Sequence, residues 1–148
     1  IRSLGFGIRL SLRVGTPPIV QLSILDASLD VWEGVDLQAL RAASMRLSDL
    51  FIAEVERRCP ALILASPRDA NQRGSQVSFA FEHGYAAIQA LIDWGVIGDF
   101  RAPNIMRFGF TPLFLDDDDI RQAAALIERV TRDELWRDAK YQTRSRVT

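Results

Sequence analysis

The stretch from Gly95 to Phe114, GVIGDFRAPNIMRFGFTPLF, constrains the fold more tightly than any other part of this chain. It reads as a strand, a break and a second strand. In the second strand Met106, Phe108 and Phe110 alternate onto one face, while Ile105, Arg107 and Gly109 share the other, the period of two that a pleated strand imposes. A buried strand face does not normally carry a guanidinium beside a glycine. Arg107 therefore either reaches solvent past the sheet edge or points its rigid fork of donors at an anion, most naturally a carboxylate. Gly109, with no side chain, leaves room beside it for a ligand.

The remaining elements follow from periodicity and punctuation. Pro17 and Pro18 suit the first turn of a helix, and Leu22, Leu25, Leu29 and Trp32 recur behind them at helical spacing until Gly34 ends the run. Asp36 is a good N-cap for a longer helix whose stripe is Leu37, Leu40, Ser44, Leu47, Phe51 and Val55, finishing near Arg58 before Pro60. ALILAS, Ala61 to Ser66, predicts a buried strand, and the loop Pro67 to Gly74 is turn chemistry throughout. In QVSFAF, Val77, Phe79 and Phe81 alternate against Gln76, Ser78 and Ala80, as in a half-buried strand. His83 and Gly84 lead into a helix with Tyr85, Ile88, Leu91 and Ile92 inward, stopping at Gly95. The run Asp116–Asp119 lacks the ligand spacing and loop glycine of a calcium site; it favours the positive end of the helix that follows. Trp136 and Tyr141 are placed to tether the polar tail. This order predicts an α+β two-layer domain: a three- to four-stranded, mainly antiparallel sheet with helices packed on one face.

At 148 residues the chain fits one domain, and such a domain buries roughly 70% of its unfolded surface. The net charge of -1 gives no electrostatic case for nucleic acid or for an anionic membrane. Cys59 is the single cysteine and His83 the single histidine, so neither a disulfide, a thiolate cluster nor a histidine metal site is expected. No apolar run approaches the roughly 20 residues needed to span a bilayer, and the start lacks a signal-peptide layout. The expected location is the cytoplasm.

Three motifs in order, GTPPI at Gly15–Ile19, RGSQVSF at Arg73–Phe79 and the Gly95–Phe114 stretch, resemble the C-terminal part of the kynureninase family. These are pyridoxal-phosphate enzymes of the aspartate-aminotransferase fold. The resemblance runs from Gly15 to Thr148, so residues 15–148 are expected to be the family's small C-terminal domain. Residues 1–14, IRSLGFGIRLSLRV, match it poorly. Members of the family are much longer, and the chain is expected to be a fragment without the large cofactor-binding domain.

The resemblance implies hydrolytic cleavage of the Cβ–Cγ bond of L-kynurenine to anthranilate and L-alanine, within tryptophan degradation and NAD biosynthesis. Pyridoxal 5'-phosphate acts there as the electron sink, and the enzyme is a homodimer. It makes Thr16 the contact to the cofactor phosphate of the neighbouring subunit; on the residues alone Thr16 could equally cap the helix at Pro17, and the two roles are compatible. It makes Arg107 the residue that binds the substrate α-carboxylate, a role in which it should be at least partly accessible and should not already be locked bidentate, with both faces of its fork used, to an internal acid such as Asp99. Arg101 is expected to be structural.

Of the eighteen basic residues only Lys140 is a lysine. It lies in the polar run WRDAKYQTRSR, whereas pyridoxal-phosphate chemistry needs a lysine amine able to form a Schiff base. The isolated chain is therefore expected to be inactive and to bind no cofactor. Two alternatives stay open: a non-catalytic, truncated kynureninase-like protein, and the small domain of another enzyme of the same fold, an aminotransferase or a cysteine desulfurase.

Overall fold

A computed structural model of the chain describes residues 18–143. By their contacts the residues divide into two units, one ending at Asp36 and the other starting at Leu37. In the first, α1 spans Ile19–Leu29 with Pro18 as its N-cap, and a 3-10 turn covers Asp30–Trp32. Gly34, at φ 75°, ends the run in a conformation that only glycine adopts without strain. No residue of α1 is buried. Among the described residues the stripe of Leu22, Leu25 and Leu29 is therefore not packed into a core, and the helix carries Ile19, Val20 and Ile24 off that stripe as well.

The second unit has the predicted two layers. Its elements are α2 (Leu37–Arg58), β1 (Ile63–Leu64), β2 (Gln76–Ala80), α3 (Gly84–Asp93), β3 (Asp99–Arg101), β4 (Ile105–Gly109), α4 (Asp117–Arg132) and a short α5 (Ala139–Gln142). The four strands form one antiparallel sheet in the order β1-β2-β4-β3. Val77, Phe79, Met106 and Phe108 are buried with Leu47, Phe51 and Val55 of α2, Ile88 and Leu91 of α3, and Ile120, Ile127 and Val130 of α4. Phe51 sits centrally, its ring 5.2 Å from those of both Phe108 and Phe110 and 6.1 Å from that of Phe79. Such tilted and edge-on pairs add to simple burial.

Some expectations change. ALILAS is not a buried strand: β1 has two residues at the sheet edge, and Ile63 is 70% exposed. An apolar run cannot by itself distinguish a central from an edge position. In α3 the buried residues are Gly84, Ala86, Ala87, Ile88, Ala90 and Leu91, whereas Ile92 is exposed and Tyr85 only half-buried. The small alanines let this helix approach the sheet closely. Gly98 marks a second close approach, since a Cβ there would lie 2.6 Å from Ile88 Cδ1 and 3.2 Å from the Arg107 carbonyl oxygen.

The acidic run caps α4. The Asp116 carboxylate accepts from the amides of Asp118 and Asp119 at 2.8 and 3.0 Å, and Asp119 accepts from the Asp116 amide at 3.0 Å, a reciprocal capping box. Trp136 and Tyr141 are both buried and hold the tail, as expected. Among the described residues no helix is long and apolar enough to cross a membrane.

Candidate functional site

Within the second unit the described helices pack on one face of the sheet, and the register defines what the other presents. Ile63, Ala80, Ile105 and Arg101 form one cross-strand row, Ser78, Arg107 and Asp99 a second, and Gln76 and Gly109 a third. Arg107 thus lies on an inner strand, opposite in direction to the buried Met106, Phe108 and Phe110. Its side chain is 29% exposed. A Cβ built on Gly109 meets nothing within 4 Å, so the space anticipated beside the arginine is present.

The guanidinium already has an internal acid beside it. Asp99 stands directly opposite Arg107 across β3 and β4, and its Oδ2 accepts from Arg107 Nε at 3.0 Å and also from Nη2. Directly paired residues on one face of a sheet lie within side-chain reach, so opposite charges there meet. Arg101 Nη2 lies 3.3 Å from the same oxygen. The hydrogen bond from Arg107 lowers the Asp99 pKa, partial burial opposes this, and the Arg101 charge adds to the lowering. The contact differs from a fork-to-fork lock because a single oxygen takes both donors on one edge of the guanidinium. Among the described residues Arg107 Nη1 has no acceptor.

Thr16, the expected cofactor-phosphate contact, lies outside the described residues. The cofactor requirement is not met by the described residues. Lys140 Nζ is 2.9 Å from Asp93 Oδ2 and 4.5 Å from the centre of the Tyr141 ring. Hydrogen bonding with Tyr141 and Asp93 raises its pKa, which disfavours the neutral amine that adds to an aldehyde.

Two features escaped the sequence reading. Arg73, in RGSQVSF, has a side chain only 2% exposed. It donates to Ser48 Oγ at 3.1 Å, to the Pro67 and Arg68 carbonyls at 3.2 and 2.5 Å, and to Asp49. This arginine closes the Pro67–Gly74 loop onto α2 and is structural. No spacing along the chain signals this role, because its acceptors come from α2 and from carbonyls that the loop brings together only when it closes. The second feature is a cleft of about 520 Å³ bordered by Ala80, Phe81, His83, Asn104, Glu134 and Trp136. His83 stacks on Trp136 there, with ring centroids 3.8 Å apart and planes 13° from parallel. Arg107 does not line it.

Fold and open face together define the chain's class as a small α+β domain presenting an arginine on an uncovered sheet. The chain belongs to the family described as the kynureninase C-terminal domain, which matches residues 40–127. It is 47% identical over 136 residues to the kynureninase of Pseudomonas fluorescens, an alignment covering 90% of this chain and 33% of that protein. The kynureninases of Burkholderia mallei (strain SAVP1) and Burkholderia pseudomallei (strain K96243) are each 46% identical over 136 residues, with the same coverage. The chain spans about a third of the length of these relatives.

Proposed function

We propose that this chain is the substrate-carboxylate-binding domain of a kynureninase, which hydrolyses L-kynurenine to anthranilate and L-alanine within tryptophan degradation. The observation that carries this reading is the placement of Arg107, from a motif shared with the family, on the uncovered face of the sheet beside the side-chain-free Gly109. A guanidinium offers a carboxylate two parallel donors, fixing both position and orientation of the substrate. Arg107 binds and orients and moves no proton. Arg101, 64% exposed and tied to Asp99, acts on the local charge and not on the ligand.

Pyridoxal 5'-phosphate supplies the electron sink in the intact enzyme. The described residues offer it no amine free of an ion pair, so its anchoring lysine belongs to the part of the enzyme that this chain does not span. The isolated chain is accordingly inactive. In the intact homodimer Thr16 contacts the cofactor phosphate of the partner subunit. The family match and the exposed apolar residues Ile63, Ile97 and Phe114 support assembly with further protein surface.

The test is a hybrid in which this chain replaces the C-terminal third of the Pseudomonas fluorescens kynureninase. Release of anthranilate from L-kynurenine supports the reading. A folded, cofactor-loaded hybrid that releases none contradicts it.

A further inference from the structure

We infer that Asp99 is a positioning residue for Arg107: it takes the Nε–Nη2 edge of the guanidinium and so presents the Nη1 end to a carboxylate ligand. This rests on the reading of Arg107 as the carboxylate clamp, and goes beyond it by naming what sets the clamp's direction.

The geometry makes the assignment. An arginine has two edges able to take a carboxylate, the Nε–Nη2 side and the Nη1–Nη2 end. The first is occupied by Asp99 Oδ2, and Nη1 has no acceptor among the described residues. Asp99 does not arrive by chance of rotamer. Its Cα is the register partner of Arg107, and at Gly98 before it even a Cβ would run into Ile88, Phe108 and the Arg107 carbonyl, so the backbone there lies close to the core. β3 is thus fixed against the core and delivers the carboxylate at one place. On the other flank the partner of Arg107 is Ser78, which is small and buried and takes a hydrogen bond from Gln76 Nε2 at 3.2 Å. No acid stands on that side among the described residues of the three cross-strand rows.

Charge balance allows the restraint without cancelling the attraction. Arg101 shares the Asp99 oxygen, so the cluster holds two guanidinium groups against one carboxylate and remains positive towards an incoming anion. An unrestrained arginine would have to surrender its rotamer freedom on binding; one already held by Asp99 has lost it beforehand.

The test uses the hybrid enzyme, with L-kynurenine as substrate and kynuramine, the same molecule without its carboxylate, as inhibitor. Asp99→Asn should raise the KM for L-kynurenine about tenfold with kcat unchanged, leave kynuramine inhibition unaltered, and add nothing further in an Arg107→Lys background. Asp99→Glu should recover part of the loss. An Asp99→Asn enzyme with unchanged or lower KM overturns the inference, a lower value meaning that Asp99 masks the clamp. If Arg107→Lys itself leaves the KM unchanged, the carboxylate reading of Arg107 falls first; if it raises the KM and Asp99→Asn does not, only the present inference falls. On the chain alone, nitrogen NMR of Arg107 gives a second readout. Two resolved Nη signals should merge on Asp99→Asn while the amide spectrum is retained, and signals already merged in the parent chain would overturn the positioning.

Discussion

Lys140 and Asp93 meet at 2.9 Å and tie the C-terminal turn to the end of α3. Tyr141 donates to the same Asp93 oxygen, also at 2.9 Å, while its ring is buried. Hydrogen bonds from Lys140 and Tyr141 lower the Asp93 pKa, and desolvation opposes them. A lowered folded-state pKa contributes stability that is complete above the unfolded value, about 3.9, and is lost as pH falls through the folded one. The Ala139–Gln142 turn should therefore lose amide-exchange protection in acid below about pH 4, before the core does. Equal protection of turn and core in that range would count against the tie.

Arg73 should matter to stability far more than its loop position implies. Arg73→Met removes donors from Ser48 and from two loop carbonyls, and should lower the unfolding free energy by about 2–3 kcal/mol in urea titrations. Its partner Asp49 is 57% exposed, so Asp49→Asn should change it by about 1 kcal/mol or less. Similar effects for the two variants would contradict the view that the carbonyl contacts dominate.

Asp116→Ala removes the cap of α4, leaving the amides of Asp118 and Asp119 to water. The expected loss is about 1 kcal/mol, and Asp116→Asn should retain most of it. Thermal unfolding separates the two. No loss in the alanine variant would mean that the cap contributes nothing in this setting.

Much of this architecture was legible in the residues. Strict alternation in Met106–Phe110 and the three-four spacing of Leu47, Phe51 and Val55 report burial directly, because each period matches one backbone geometry. Edge position was not legible: ALILAS carries the same apolar signal wherever it sits, and only the strand order shows that β1 pairs with β2 alone among the described strands. The inward face of α3 was misread because alanines score weakly as core residues although their size suits close packing. Asp99 was named as a possible partner of Arg107, yet a single-oxygen contact on one edge depends on cross-strand register, which no spacing along the chain reveals. Arg73 was hidden for the same reason, its acceptors coming from α2 and from a loop that closes on itself.

The central claim is that Arg107 holds the substrate carboxylate, and Arg107→Lys in the hybrid kynureninase tests it most directly. A charged, well-directed hydrogen bond of this kind contributes about 1.5–3 kcal/mol, and an ammonium cannot reproduce the planar fork. The account predicts that kcat/KM for L-kynurenine falls by roughly tenfold to a hundredfold with the unfolding midpoint little changed. A lysine variant with unaltered kcat/KM for L-kynurenine would contradict it.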